Sequence, residues 1–336
     1  MKSTAVDNSQ DPLSLIEPYF IKTYHLDGMN HEIMSLPARD LLSRFDLFSK
    51  LFYVRNRKRR PHLARRVYLE SLRAFVPFGK EWGKETDKSS FAKHIQEFNT
   101  LIDTFASEDF DRSVSIVPVD GNYTVIDGAH RVSILAFYDK QVTVCRFDQP
   151  VCHYGHDYFM ARGMSRYAAD LTMSECILRQ DDISVKCVWP SDNDDIHGDI
   201  LYVRAFSLKS GACRRLREAI DCEAPTIGEG TNKITVRFIF YKNTDGICDP
   251  VRTSRIANAV LSDEGRAGWY YPCSIAYWMA LPFIRFADTI SANRTFFKYR
   301  KQFRARKHLK DKIEQSNNKF LLSLYGVVSK LWVRDR

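Results

Sequence analysis

The stretch that most constrains this chain is SIVPVDGNYTVIDGAHRVSILAFYDKQVTVCRF, Ser115 to Phe147. Its β-branched Ile116, Val117 and Val119 lead into Asp120-Gly121, a tight-turn pair. Tyr123, Val125 and Ile126 then return, the pattern of a hairpin. Asp127-Gly128-Ala129-His130-Arg131 follows directly. Val132, Leu135 and Ala136 come next at helical spacing, with Ile134 and Phe137 widening the apolar face. Val142 to Phe147 reads as a further strand. The predicted unit is strand, turn, strand, glycine-containing elbow, helix, strand.

The elbow suits anion chemistry for a physical reason. A helix N-terminus leaves several backbone N–H groups unpaired and carries partial positive charge. Gly128 lets the backbone approach a ligand without a Cβ in the way. Arg131 has the fork geometry for two phosphate oxygens. His130 can donate a hydrogen bond or take a proton, and Asp127 can cap the helix or orient the site. On spacing alone, a capping Asp127 and a solvated Arg131 account for the run equally well, because one glycine is a weak phosphate signal.

Tyr123-Thr124-Val125-Ile126-Asp127-Gly128-Ala129-His130-Arg131 resembles the signature of the ParB/sulfiredoxin-like superfamily, and Val142-Thr143-Val144 resembles its V-x-V strand. The resemblance covers roughly residues 85–150. It implies an α+β core that binds a nucleotide, ATP or ADP with Mg²⁺, through Gly128, Ala129, His130 and Arg131. Sulfiredoxins need a cysteine within the elbow, where this chain has Ala129. ParB proteins carry a helix-turn-helix region after this domain, which is not evident here. The Asp127–Arg131 run is most similar to the free serine kinases, and also to uncharacterised proteins associated with bacterial surface polysaccharide. In the kinase-like relatives a glutamate in the loop before the preceding helix is the base. That implies Glu85, then Glu81, with Lys80 or Lys84 meeting phosphate charge. Read without the resemblance, Gly79-Lys80-Glu81-Trp82-Gly83-Lys84-Glu85 is an ordinary charged two-glycine loop.

Charge is unevenly placed. Of a net +9, residues 285–312 hold ten Lys/Arg against two acids, and residues 55–66 hold seven Lys/Arg and no acid. The remainder is net acidic. Two basic patches on an acidic body point to an anionic partner. At 44% hydrophobic residues the chain has ample material for a core, which excludes a disordered protein. The eight cysteines are scattered and Met1 to Pro18 is polar, so free thiols in a reducing, cytoplasmic setting are expected.

Along the chain, residues 1–78 read as a helical N-terminal extension, with helical pattern from Leu36 to Phe52 and again over 62–76. Residues 79–190 hold the nucleotide-binding core, in which Ser89 or Ser90 caps a helix running to about Phe105. Cys152-His153-Tyr154-Gly155-His156-Asp157 admits three readings: a zinc cluster lacking its second half, packing by the aromatics, or a cleft in which Asp157 holds Mg²⁺ or the acceptor. The acid-rich Ser191 to Asp199 marks a boundary. Residues 191–270 then read as a small α/β unit, with strands over 200–206 and 233–241 and helices over 207–220 and 252–261. Residues 271–336 form a basic amphipathic tail, and the span 276–332 suits docking on the body, an anionic membrane surface or, less well, nucleic acid.

The function these readings favour is an ATP-dependent phosphotransferase acting on a hydroxyl of a small molecule, sugar or glycan intermediate, at the cytoplasmic side and peripheral to the membrane. Glu85, Asp127, His130 and Asp157 are its candidate catalytic groups, Lys84 and Gly128–Arg131 its phosphate site, and Asp157 its metal ligand. The alternative is a ParB-like, nucleotide-gated nucleic-acid binder. A scaffold that kept the fold without the chemistry is a third.

Overall fold

The computed structural model describes residues 12–80, 90–106, 116–148, 154–189, 196, 198–220, 234–243, 248–262 and 275–315. It is a mixed helix-and-sheet protein with two three-stranded sheets, as expected of the α+β class.

In the first sheet β1 (His31–Pro37) and β2 (Ile116–Val119) flank β3 (Gln141–Phe147). β1 pairs antiparallel to β3, with His31 opposite Phe147, and β2 pairs parallel to it, with Ile116 opposite Thr143. A parallel pair needs a crossover, and α5 (Ala129–Phe137) lies in that connection. β3 follows a period of two: Val142 and Val144 enter the main core, while Cys145 and Phe147 enter a second cluster with Ile16 and Leu26. The sheet is thus buried on both faces. α1 (Pro18–Tyr24) and its flanks pack on one side, α5 and α2 (Phe45–Asn56) on the other.

The second sheet has the order β4 (Ile183–Val188), β6 (Ile234–Asn243), β5 (Gly198–Leu208), all antiparallel. Its first strand precedes the acid-rich stretch, so the second unit begins earlier in the chain than residue 191. α8 (Ser210–Ile220) and α9 (Pro250–Leu261) accompany it; Asp249 caps α9 through Arg252 N at 2.9 Å. The two units share one apolar core, joined through α7 (Arg166–Ile177), where Asp170 accepts from the Tyr202 hydroxyl at 2.7 Å.

Two differences from the sequence reading have clear causes. The pattern from Leu36 to Phe52 belongs to β1, a short turn and α2 rather than one helix. β1 is only half-buried and takes its register from β3, so its own alternation is faint. The expected return strand over 123–126 reduces to one bridge, Val119 to Val125, plus Ile126 N to Pro118 O at 2.9 Å.

The helices of the first unit match expectation: α3 (Pro61–Phe75) and α4 (Phe91–Ala106), the latter capped by Ser90 through Lys93 N at 3.2 Å. The short α6 (His156–Met160) precedes α7. The tail begins with a 41-residue helix, α10 (Ile275–Gln315), which docks on α3 and α7. Asp288 accepts from the amides of Arg166 and Tyr167 at 3.1 and 3.0 Å, so a carboxylate of α10 satisfies donors at the start of α7. Glu70 accepts from Ser165 N at 2.7 Å at the same end. Tyr299 then donates to Ala74 O at 3.0 Å. Docking on the body therefore describes this part of the tail; residues 316–336 lie outside the described residues. Among the described residues, no helix is long and apolar enough to cross a membrane.

Candidate functional site

The limb that delivers the chain to the elbow is held by side chains, not by a sheet. Asp120 is buried and its Oδ1 accepts from Asn122 N and Thr124 N at 2.9 and 2.7 Å. This Asx-type turn tolerates the positive φ of 60° at Tyr123. The carbonyl of Val125, which a continuing strand would use, instead accepts from Arg44 Nη1 at 2.6 Å. Arg44 sits in a buried ion triad: its Nε and Nη2 reach Asp46 at 2.9 and 3.0 Å, and Lys50 Nζ reaches Asp46 Oδ2 at 2.5 Å. Burial opposes charge on Asp46, but the two cations outweigh it and hold its carboxyl down to about 2. The sequence signal for Asp46 and Lys50 is two opposite charges four residues apart inside the otherwise apolar FDLFSKLF; Arg44 stands just outside it and carries no such signal.

At the elbow, Gly128 is left-handed, with φ 83°. A Cβ there would lie 2.9 Å from Arg131 Nη2 and 3.1 Å from Val117 Cγ2, so the backbone favours glycine and any side chain would also push the Arg131 guanidinium aside. Gly128, not Asp127, occupies the N-cap position of α5, so the cap position itself carries no side chain. The first intrahelical bond runs from Val132 N to Gly128 O at 2.9 Å. The amides of Ala129, His130 and Arg131 precede it, on the end of the helix that favours an anion.

Arg131 folds back over the elbow. Its Nη1 donates to Ile116 O at 3.3 Å and its Nη2 lies 3.6 Å from Asp127 Oδ2. Burial lowers the guanidinium's pKa from its ordinary value, and the Asp127 charge offsets part of that. His130 turns the other way. Its Nε2 is 2.9 Å from the Tyr68 hydroxyl, and its ring meets Phe98 edge-on with centroids 4.6 Å apart. Asp127, Gly128, Ala129, His130 and Arg131 are thus brought together as expected, with Tyr68 added to them.

Asp157 is placed differently. Its side chain is 89% exposed on α6, and it pairs with His156 Nε2 at 2.9 Å. His156 packs against Phe45 and Tyr202, and burial lowers its pKa against the pull of Asp157. No hydrogen bond or ion pair joins Asp157 to the elbow among the described residues. Lys84, Glu85 and Glu81 lie outside the described residues, as do Cys152 and His153; Lys80 is described and is exposed. Among the described residues, no group of three or more His, Cys, Asp or Glu side chains is arranged to hold a metal ion.

No family model, curated protein or solved structure matches this chain. The site is therefore weighed on its own geometry.

Two of the clefts away from the elbow involve the first basic segment. One of about 260 Å³ is lined by Arg55, Arg59 and Arg60 of the α2–α3 corner and by Glu175 of α7. Burial raises the pKa of Glu175, while Arg55 at 3.0 Å and Arg179 at 3.4 Å favour its charge. The other, of about 450 Å³, lies between α3 and α10 and is lined by His62, Arg65, Arg66, Arg73 and Phe91 among others.

Proposed function

We propose that residues 85–150 form a ParB/sulfiredoxin-like nucleotide site and that the protein is an ATP- or ADP-dependent phosphotransferase acting on a hydroxyl acceptor. The observation that carries this reading is a glycine at the N-cap of α5, held at a left-handed φ of 83° that strains any residue with a Cβ. Backbone that a ligand can approach closely at a positive helix end, with the Arg131 guanidinium beside it, fits a phosphate group. The strand–elbow–helix–strand order, with β2 and β3 parallel, also supports it.

The amides of Ala129, His130 and Arg131 would hold the phosphates. Arg131 sets the elbow's shape through Ile116 and Asp127, and Tyr68 fixes the ring of His130. Bound nucleotide supplies the phosphoryl group, and Mg²⁺ offsets its charge. Asp127 stands at the elbow and Asp157 does not, so this reading gives the metal-facing role to Asp127. Glu85 remains the group assigned to accept the acceptor hydroxyl's proton. A sugar or glycan intermediate of envelope polysaccharide is the proposed acceptor class, on the resemblance alone.

The test is the thermal midpoint of the full chain with ATP or ADP plus Mg²⁺. The reading requires a rise that Arg131→Ala largely abolishes. No rise with either nucleotide, or an equal rise in Arg131→Ala, contradicts it.

A further inference from the structure

The two basic segments, some 220 residues apart in sequence, meet on one face. α3 and α10 run alongside each other: Arg66 Nη2 donates to Thr289 Oγ1 at 2.8 Å, and Arg73 Nη1 to Asn293 Oδ1 at 3.3 Å. The guanidinium carbons of Arg66 and Arg285 lie 5.5 and 4.5 Å from the ring centre of Tyr167. The cleft of about 450 Å³ opens along this seam. Among the described residues its one lining carboxylate is Glu70, with both oxygens engaged, by Arg66 Nε at 2.9 Å and by Ser165 N at 2.7 Å. Among the described residues, neither Arg65 nor Arg73 has a carboxylate within ion-pair distance, and the buried Nε of Arg73 has no hydrogen-bond partner. The cleft thus presents unneutralised positive charge.

Beside it stands an apolar ridge. Met279, Phe283, Phe286, Ile290 and Phe297 of α10 are all exposed, Phe283 at 74% and Phe297 at 62%. Steps of four, three, four and seven residues put them on one stripe of the helix. Thr289 and Asn293, which wall the cleft, sit on the neighbouring stripe, so ridge and cleft share a face. Continued at the same steps, the stripe becomes Lys301, Arg304 and His308, all exposed. From 285 to 310 the only carboxylate is Asp288, which is turned into α7.

We propose that this α3–α10 face rests on an anionic phospholipid surface. Phe283, Phe286, Ile290 and Phe297 enter the boundary between headgroups and acyl chains, and the Arg65–Arg73 cleft takes a lipid phosphate. Charge complementarity selects this occupant. A second copy packed along the same stripe would bring Lys301 and Arg304 against their own kind if parallel and against the apolar half if antiparallel, whereas an anionic bilayer accepts both the apolar and the cationic halves. The inference stands apart from the reading of the elbow: a nucleotide site can fail while this surface binds, and the reverse.

The experiment is flotation of the full chain with vesicles of phosphatidylglycerol and phosphatidylcholine, against phosphatidylcholine alone, across salt. Wild type is expected to bind the anionic vesicles only. Phe286→Ser with Phe297→Ser, both surface changes, is expected to lower the vesicle partition at least about tenfold at every salt concentration. Arg65→Gln with Arg73→Gln is expected to lower it by about fivefold or more at low salt and by less at high salt. Equal binding to both vesicle types, no binding, or unchanged binding by the double serine variant overturns the proposal. So does a self-associating wild type that the serine variant makes monomeric without a vesicle effect, which would make the ridge a contact between copies. Duplex DNA that displaces the anionic vesicles and binds more tightly than they do overturns it in favour of nucleic acid. The thermal midpoint of each variant without vesicles checks that it is folded.

Discussion

Arg44 reaches 81 positions along the chain to the carbonyl of Val125, at 2.6 Å, while Asp46 holds its other two donors. This buried contact sets where the return limb lies and hence where the elbow begins. Removing one partner of a buried ion group leaves the others uncompensated, which costs about 3–5 kcal/mol. Arg44→Ala is expected to lose stability on that scale in urea denaturation. Val125 lies just ahead of the elbow, so the same variant is expected to lose nucleotide binding as well.

The same triad gives a pH signature. Asp46 has its carboxyl held at about 2, below the ordinary carboxylate value of 3.8. A depressed folded-state pKa contributes stability that is present above about pH 4 and is lost as pH falls through about 2. The contribution is on the order of 2 kcal/mol. Unfolding free energy measured across acid pH is expected to fall through that window in wild type. In Asp46→Asn, which is less stable at neutral pH, that component of the slope is absent.

Gly128→Ala tests the elbow's geometry. Its φ of 83° disfavours any side chain, and the added methyl meets Arg131 and Val117 within 3.1 Å. A cost of at least about 1–2 kcal/mol is expected. Pairing it with Arg131→Ala removes one clash but not the backbone strain, so the double variant is expected to recover only part of the loss in denaturant titration.

Much of this architecture was legible because period and punctuation agree. Ser90 before Phe91, the helical pattern over 252–261, and the apolar run from Val142 to Phe147 each mark an element the structure contains. Other parts were not legible, for physical reasons. β1 borrows its register from β3 across more than a hundred residues. α7 is buried on several sides and carries Asp170 and Glu175 inward, so its periodicity is blurred. At the site, the elbow's own residues were readable as a group, but Tyr68, Arg44 and Asp46 act on it through contacts distant in sequence. Asp157, close in sequence to the core unit, is exposed on α6 and pairs with His156.

Asp288 tests the docking of the long helix. Removing a carboxylate that satisfies helix N-terminal amides costs about 1–2 kcal/mol. Asp288→Ala is expected to lower stability by that amount and to speed tryptic cleavage at Arg294 and Lys298 more than elsewhere. Uniform acceleration would mean that α10 is held by its other contacts.

The central claim is that the first amides of α5 take a nucleotide's phosphates. The amides of Ala129, His130 and Arg131 precede the first intrahelical bond, from Val132 N to Gly128 O. Hydrogen exchange of the peptide spanning residues 127–132, with and without ATP plus Mg²⁺, measures this directly. The account predicts that exchange at this peptide slows by at least about tenfold on adding nucleotide, matching a bound phosphate that costs more than about 1.4 kcal/mol to displace. Exchange that is unchanged there, while nucleotide binds and protects another part of the chain, would contradict it.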